Sequence, residues 1–285
     1  MRLADTATLK KVLNSNIESS TMKWIEDRLY GIVEEKSAKN LFMTYSLLAS
    51  KVKASKELIF SNLNNDRLTN YLSLQKANNL QVARIYLLSR VLEENNDYFQ
   101  SKVANLIQVA DSSELETFLK FLILLPNPEN YKQAAIEALR TNIATVFDAI
   151  SADNPYPATY FTDQQWNQMY LKAAFMQQDL SRILDIDKRA NAELARIISD
   201  YAHERWAASR DVDPYFWRPV GNFLGDNLLN DMERLLRSDR IEENRAGALC
   251  CLQSDTAKAE ALLMKYPDVK DSVVNGNITW YNLVN

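Results

Sequence analysis

Glycine is scarce in this 285-residue chain: there are five, and none between Gly31 and Gly221. Parallel α/β folds and β-hairpins are punctuated by glycine-rich turns, so a gap of that length argues against both. The chain has one histidine, His203, and two cysteines, Cys250 and Cys251. That leaves little material for a metal centre, and HExxH is absent, because HERWA (from His203) contains no second histidine. No P-loop, GxGxxG or GxSxG occurs. Neither a cofactor nor a metal is expected. The cysteines are adjacent within AGALCCL, a poor geometry for a relaxed disulfide. They read as small buried side chains of a core helix.

Excess charge of one sign is missing too. Lys and Arg number 33 against 37 Asp and Glu, for a net charge of −4. Without a basic arm or a dense Lys/Arg cluster, nucleic acid is not an expected partner. Long apolar runs are also absent. The strongest, Phe118–Leu125, is interrupted by Lys120 and stopped by Pro126, and is too short to span a bilayer. The N-terminal MRLADTATLKKVLNS lacks the apolar stretch of a secretory signal. A cytoplasmic protein with no transmembrane segment is the expectation.

What is present is helical patterning. Hydrophobic residues make up 47% and aromatics 10%, enough for a core and too much for disorder. Apolar positions recur with helical period at Trp24, Ile25, Leu29, Ile32 and Val33. The period repeats through Leu41, Tyr45, Leu48 and Val52, then through Ala83, Leu87, Leu88 and Val91. Asp111 or Ser112 suits the cap of a helix running from Glu114 to Leu125, although Leu119–Leu125 alone could be a buried strand. Tyr131–Leu139 and Ile143–Ile150 are further amphipathic segments.

The best internal boundary is Ser151–Phe161, SADNPYPATYF, where two prolines stop helix growth. It separates an N-terminal helical region, 1–150, from a C-terminal one, 151–285, as two domains or as layers of one. Beyond it, Thr162 or Asp163 caps a helix, and a second helix is predicted over Lys188–Ala208. Leu228–Leu236, Asn244–Leu252 and Thr256–Tyr266 follow as short helices, with Asp255 as a cap. Their rhythm suggests an α-solenoid of HEAT or armadillo type in the C-terminal third. The predicted class is all-α, built of stacked amphipathic helices.

Unusual chemistry gathers in HERWAASRDVDPYFWRPVG, His203–Gly221, which carries two tryptophans, three arginines and two prolines. Helix spacing aligns His203, Trp206 and Arg210. Arg205, Trp217 and Arg218 complete the set. Aromatic planes and guanidinium forks can hold a flat or polyunsaturated ligand, or clamp two helices together. Upstream, FTDQQWNQMYLKAAF (Phe161–Phe175) presents Trp166, Met169, Tyr170 and Ala173 on one flank. On it, Asn167, Tyr170 and Lys172 line a shared pocket or form the ordinary edge of a buried helix. Lys172 in an apolar setting would serve as a base. Ser199, four residues before His203, shares a helix face with it and carries no further catalytic signature. From Lys188 to Lys258 there are nine arginines and no other lysine, which suits ion-pair networks or anionic ligand groups. Asn275-Gly276 is a turn signal, after which Ile278, Trp280 and Leu283 tie the tail to the body.

FTDQQWNQMYLKAAF, YAHERWAASRDVDPYFWRPVG and the close NRAGALCCL…AEALLMKYPDV…NGNITWYNL together resemble the EboA-domain family. The resemblance runs from about Tyr156 to the C-terminus and does not reach into the first 150 residues. It implies a helical protein from a small bacterial gene cluster. That cluster also encodes a membrane prenyltransferase-like protein and isomerase-like or metal-hydrolase-like proteins. It implies a metabolite-trafficking accessory for prenylated or aromatic metabolites, among them a sunscreen pigment precursor in some cyanobacteria. Trp166, Asn167, Lys172, His203, Arg205, Trp206, Arg210, Trp217 and Arg218 match family motif positions, with no role assigned. The leading expectation is a binding or scaffold protein for an isoprenoid-like or aromatic metabolite, a membrane-associated partner from the same cluster, or both. The alternatives are an enzyme with His203 or Lys172 as acid/base, and a purely structural interaction module.

Overall fold

The computed structural model describes residues 5–55, 57–61 and 65–283. Among these, 18 α-helices and five 3-10 turns occur, with no strand. The fold is all-α. The chain separates into two compact units, Met1–Tyr160 and Phe161–Asn285.

The first unit holds α1 (Thr6–Asn14), α2 (Ser19–Glu34), α3 (Ala38–Lys51), α4 (Asp66–Leu74), α5 (Asn79–Glu94), α6 (Asn96–Ala104), α7 (Leu106–Val109), α8 (Ser112–Lys120), α9 (Lys132–Ala138), α10 (Ala144–Ser151) and α11 (Tyr156–Tyr160). Helix α5 is its axis. It starts at a capping box formed by Asn78 and Gln81, and 11 of its 16 residues are buried. A helix apolar nearly all round must be enclosed by others, and α1, α2, α3, α6 and α8 pack around it. Arg84 lies within that buried set. Its guanidinium lies 5.2 Å from the Tyr45 ring centre and 3.7 Å from Glu114, and it donates to the Tyr45 and Ser113 carbonyls.

Asp111 makes a capping box with Glu114. The helix it starts stops at Lys120, and Leu122–Leu124 forms a 3-10 turn instead of a strand. The proline-containing segment after Ser151 is not an extended linker. Asn154 is buried and donates to the Leu119 and Ala149 carbonyls, Gln75 donates to the Asp153 carbonyl, and α11 follows at once. Gln75 takes up the Asp153 carbonyl, which Pro157 cannot reach with a helical N–H, and Asn154 ties the segment to the ends of α8 and α10.

The second unit holds α12 (Asp163–Phe175), α13 (Ile186–Arg189), α14 (Ala192–Ala207), α15 (Asp226–Leu236), α16 (Ile241–Gln253), α17 (Ala257–Leu263) and α18 (Pro267–Val274). The helix predicted over Lys188–Ala208 is split. Asp185 is left-handed (φ 58°) ahead of α13, and Asn191 in extended backbone caps α14. Thr162 caps α12 through a capping box with Gln165, and Thr256, not Asp255, caps α17. At the centre runs a ten-residue 3-10 segment, Pro214–Phe223, buried from Pro214 to Gly221. Runs of that length are uncommon because 3-10 hydrogen bonds are poorly aligned. Packing compensates here, since α14 and α16 press on it from the same unit. A Cβ on Gly221 would lie 2.7 Å from the Gln253 side chain and 3.0 Å from the Cys250 carbonyl, so only glycine permits this approach. Cys250 and Cys251 are free and buried, and the Cys250 thiol donates to the Trp217 carbonyl. Burial pushes the Cys251 thiol up to about 12, so neither cysteine is poised as a thiolate.

Candidate functional site

The exit of α14 and the face of α15 form the most developed site. Trp217, fully buried in the 3-10 segment, lies beneath it and does not line its cleft. Trp206, from the last turn of α14, stacks on it with ring centres 5.7 Å apart and planes at 19°. Arg234 of α15 covers Trp206, its guanidinium carbon 4.1 Å from the ring centre. The three planar groups form a layered stack with Arg234 outermost. Beside it lies a cleft of about 730 Å³ whose lining includes Trp206, Arg210, Arg234, Arg237, Arg240 and Glu233. Arg237 pairs with Glu233, and Arg240 with Asp211 and Glu243. Among the described residues Arg210 and Arg234 form no ion pair, so their charges face the cleft.

His203 is placed one turn before Trp206, with ring centres 5.5 Å apart. Its Nε2 lies 2.6 Å from Asp231, and the Ser199 hydroxyl donates to the other Asp231 oxygen, also at 2.6 Å. Asp231 is 3% exposed and His203 63% exposed. The buried carboxylate therefore stands between serine and histidine. A nucleophilic relay needs the histidine in the middle, where it can take the serine proton. This trio instead ties α14 to α15. His203 is not among the residues lining the cleft.

Arg210 does not extend the His203–Trp206 row, because α14 ends at Ala207 and Ser209 turns left-handed (φ 55°). The cation over Trp206 comes instead from Arg234. Arg205 uses its fork on the Asp211 carbonyl, at 3.0 and 2.8 Å, and closes the turn. Arg218 forks onto Asp187 at 2.9 and 2.6 Å, donates to the Tyr215 hydroxyl, and lies against the Tyr215 and Tyr281 rings. Burial works against its charge, but the bonds to Asp187 and Tyr281 hold its pKa above the ordinary arginine value.

The α12 candidates do not share the cleft. Trp166 is buried beneath Arg189, whose guanidinium is 5.1 Å from its ring centre. Asn167 exchanges two amide bonds with Asn191, at 3.1 and 2.9 Å, which joins α12 to the cap of α14. Tyr170 is fully buried, stacks on Phe216 at 5.4 Å, and donates to the Tyr215 and Phe216 carbonyls. Lys172 has its pKa lowered by burial but does not line the cleft. The tail is tied down: Trp280 meets Tyr215 edge-on at 5.8 Å, and Arg245 donates to the Leu283 carbonyl. Ile278 is half-buried and Leu283 buried.

Sequence reading did not single out Arg234 or Asp231. Their spacing of three puts both on one face of α15, and the arginine bias of the region was the available signal. Among the described residues, no group of three His, Cys, Asp or Glu side chains could hold a metal ion. No helix there is long and apolar enough to cross a membrane.

The family model described as "Metabolite traffic protein EboA" matches residues 5–221. The chain belongs to the EboA family. The match takes in most of the first unit, where sequence reading found no resemblance. It ends at Gly221, inside the buried 3-10 segment, so Trp206 and Trp217 fall within it, while Arg234 and the tail fall beyond. Neither the curated proteins nor the solved structures compared with this EboA-family chain give a match. The family description places the chain among metabolite-traffic proteins in general terms.

Proposed function

We propose that this protein binds a small metabolite in the Trp206 cleft and carries or presents it as a trafficking accessory. The layered Trp217–Trp206–Arg234 stack beside the cleft is the observation that carries this reading. The volume of about 730 Å³ lies within the range of small-molecule sites, roughly 300–1,000 Å³. Trp206 is the one apolar side chain in the lining, and the rest is charged or polar. A flat aromatic cargo with an acidic group suits such a wall better than an isoprenoid chain, which needs apolar surface along its length. The cargo ring replaces Arg234 on Trp206, and Arg234 and Arg210 turn to its carboxylate or phosphate.

Handover to a membrane-associated protein of the same gene cluster belongs to this proposal. So does HEAT- or armadillo-like stacking in the C-terminal third, supported by α16 packing against α15, α17 and α18. The enzymatic reading rests on the 2.6 Å contact of His203 with Asp231. It has less support, because neither His203 nor Lys172 lines the cleft.

Mass spectrometry of small molecules carried by the purified protein tests the proposal. Wild type is expected to carry an aromatic acid. Trp206→Leu and Arg234→Ala should each weaken its binding about tenfold, ~1.4 kcal/mol, while melting as cooperatively as wild type. Equal cargo on all three proteins, or none on wild type, overturns the reading. Trp217→Ala is a poor probe, since removing a fully buried tryptophan costs about 3–5 kcal/mol of stability.

A further inference from the structure

The second unit contains another cleft, of about 450 Å³, beneath the C-terminal tail. Its walls come from the Leu180–Arg182 turn, the start of the buried 3-10 segment and the Trp280–Leu283 turn. Pro214, Tyr215 and Trp280 supply apolar surface. The polar lining is unbalanced: Asp179, Asp213 and Glu242 face it with one cation, Arg240. Arg240 is engaged by Asp211 at 3.1 Å and Glu243 at 3.4 Å, and neither of these lines this cleft. Arg218, behind Tyr215 and Tyr281, is paired with Asp187. Arg240 offsets part of the Asp213 charge, but three carboxylates against this one cation, itself shared with Asp211 and Glu243, leave the lining net negative.

The carboxylates are also only half used. Asp179 caps its turn through Oδ1, which accepts from the backbone and hydroxyl of Ser181. Asp213 caps the 3-10 segment through Oδ1, which accepts from the Tyr215 amide. Among the described residues the Oδ2 atom of each has no hydrogen-bond partner, and Glu242 forms no ion pair. Burial, and then the Asp179 charge, raise the Asp213 pKa. Asp179 and Asp213 are exposed, so water reaches their free oxygens, and both border the aromatic and prolyl surface of the cleft.

An anion is repelled by this lining, and a neutral apolar molecule leaves the carboxylates unpaired. A bare divalent ion gains little from Trp280, Tyr215 and Pro214, and no metal-holding group of three occurs among the described residues. We infer that the cleft binds a small organic cation, an amine or quaternary ammonium with an apolar body. Asp179 and Asp213 grip the charge, while Tyr215 and Trp280 pack the body. The tail wall is fixed in advance by the Arg245 bond to Leu283 and by a capping box between Thr279 and Asn282, so little ordering accompanies binding.

The test is calorimetric titration of the full-length protein with three probes of one shape: phenethylammonium, neutral phenethyl alcohol and anionic 3-phenylpropanoate. Saturable binding is expected for the ammonium, at least about tenfold tighter than for the alcohol, with none at this cleft for the carboxylate. Asp179→Asn and Glu242→Gln should each weaken the ammonium severalfold. Trp280→Leu should weaken it also, and Trp206→Leu, in the other cleft, should leave it unchanged. No saturable ammonium binding, or equal affinity for ammonium and alcohol, overturns the proposal without recourse to any variant. Wild-type affinity in a cooperatively melting Asp179→Asn protein overturns it too. Trp206→Leu serves both tests, weakening the cargo of its own cleft and leaving the ammonium here unchanged, and Asp179→Asn and Trp280→Leu touch this cleft alone, so either site can fail alone.

Discussion

Among the described residues each unit buries one arginine, and the two are buried for different ends. Arg84 in the first unit is 2% exposed, and its ionic partner Glu114 is 5% exposed. Every group it meets belongs to α3, α5 or α8, or to the residues of their caps and turns. Arg218 in the second unit is almost as buried, but its partner Asp187 is half exposed, and its guanidinium lies on the rings of Tyr215 and Tyr281. The first arginine is sealed into a core. The second holds a chain terminus against a buried segment at the edge of a cleft. A buried charge with a buried partner has only the fold to stabilise it, whereas one with a half-exposed partner shares that task with water.

Removing each arginine tests that contrast. Arg84→Met strands the Glu114 carboxylate in the core and should cost about 3–5 kcal/mol, read as a lower midpoint in urea unfolding. Arg84→Met with Glu114→Gln removes both charges and should recover much of that loss. Arg218→Met leaves Asp187 able to rehydrate and should cost less, about 1.5–3 kcal/mol. It should also free the tail, so limited proteolysis would cut beyond Val274 sooner than in wild type. Equal losses for the two single variants would erase the distinction drawn between the units.

The two units also differed in how legible they were. The helical period from Leu41 to Val52 and through Ala83–Val91 marks α3 and α5 correctly, because burial of one stripe is a local pattern. Asp111 and Thr162 were readable as caps for the same reason. Arg84 was not, since a charged residue on a helix is ordinarily solvated, and its partners Tyr45 and Glu114 are far away in sequence. In the second unit the concentration of Trp and Arg in His203–Gly221 marked a segment that borders the Trp206 cleft. It did not separate its members. Trp217 is buried beneath the stack, Trp206 lines the cleft, and Arg205 and Arg218 are taken up by the fold. Arg234 came from a helix that nothing in the local sequence connected to Trp206. The ten-residue 3-10 segment could not be read as such, because two prolines and a run of aromatics signal a break in an α-helix without specifying what replaces it.

The finest test of the contrast is acid. Glu26 in the first unit is partly buried, which alone would raise its pKa, but bonds from Lys10 and Tyr86 more than offset this and set it below the usual 4.5. Its folded form therefore holds its proton less tightly than the unfolded chain. The stability it contributes is complete above pH 4.5 and is lost as pH falls through the lower folded value. Asp213 in the second unit runs the opposite way. Burial and the Asp179 charge raise its pKa above 3.8, so the folded state binds that proton first. Its ionised form is a burden at neutral pH, and relief arrives as pH falls through the raised value towards 3.8. Glu26→Gln should flatten the acid limb of a stability-against-pH curve, lowering stability at pH 7 and leaving it unchanged at the acid end. Asp213→Asn keeps an oxygen to cap Tyr215 and should raise stability at pH 7 with no gain at the acid end. Thermal melts of wild type and both variants between pH 3 and 7 check this. If the two variants shift the curve in the same direction at pH 7, the two carboxylates are not opposed, and the difference between a charge stabilised by its own unit and one left open to a ligand does not extend to them.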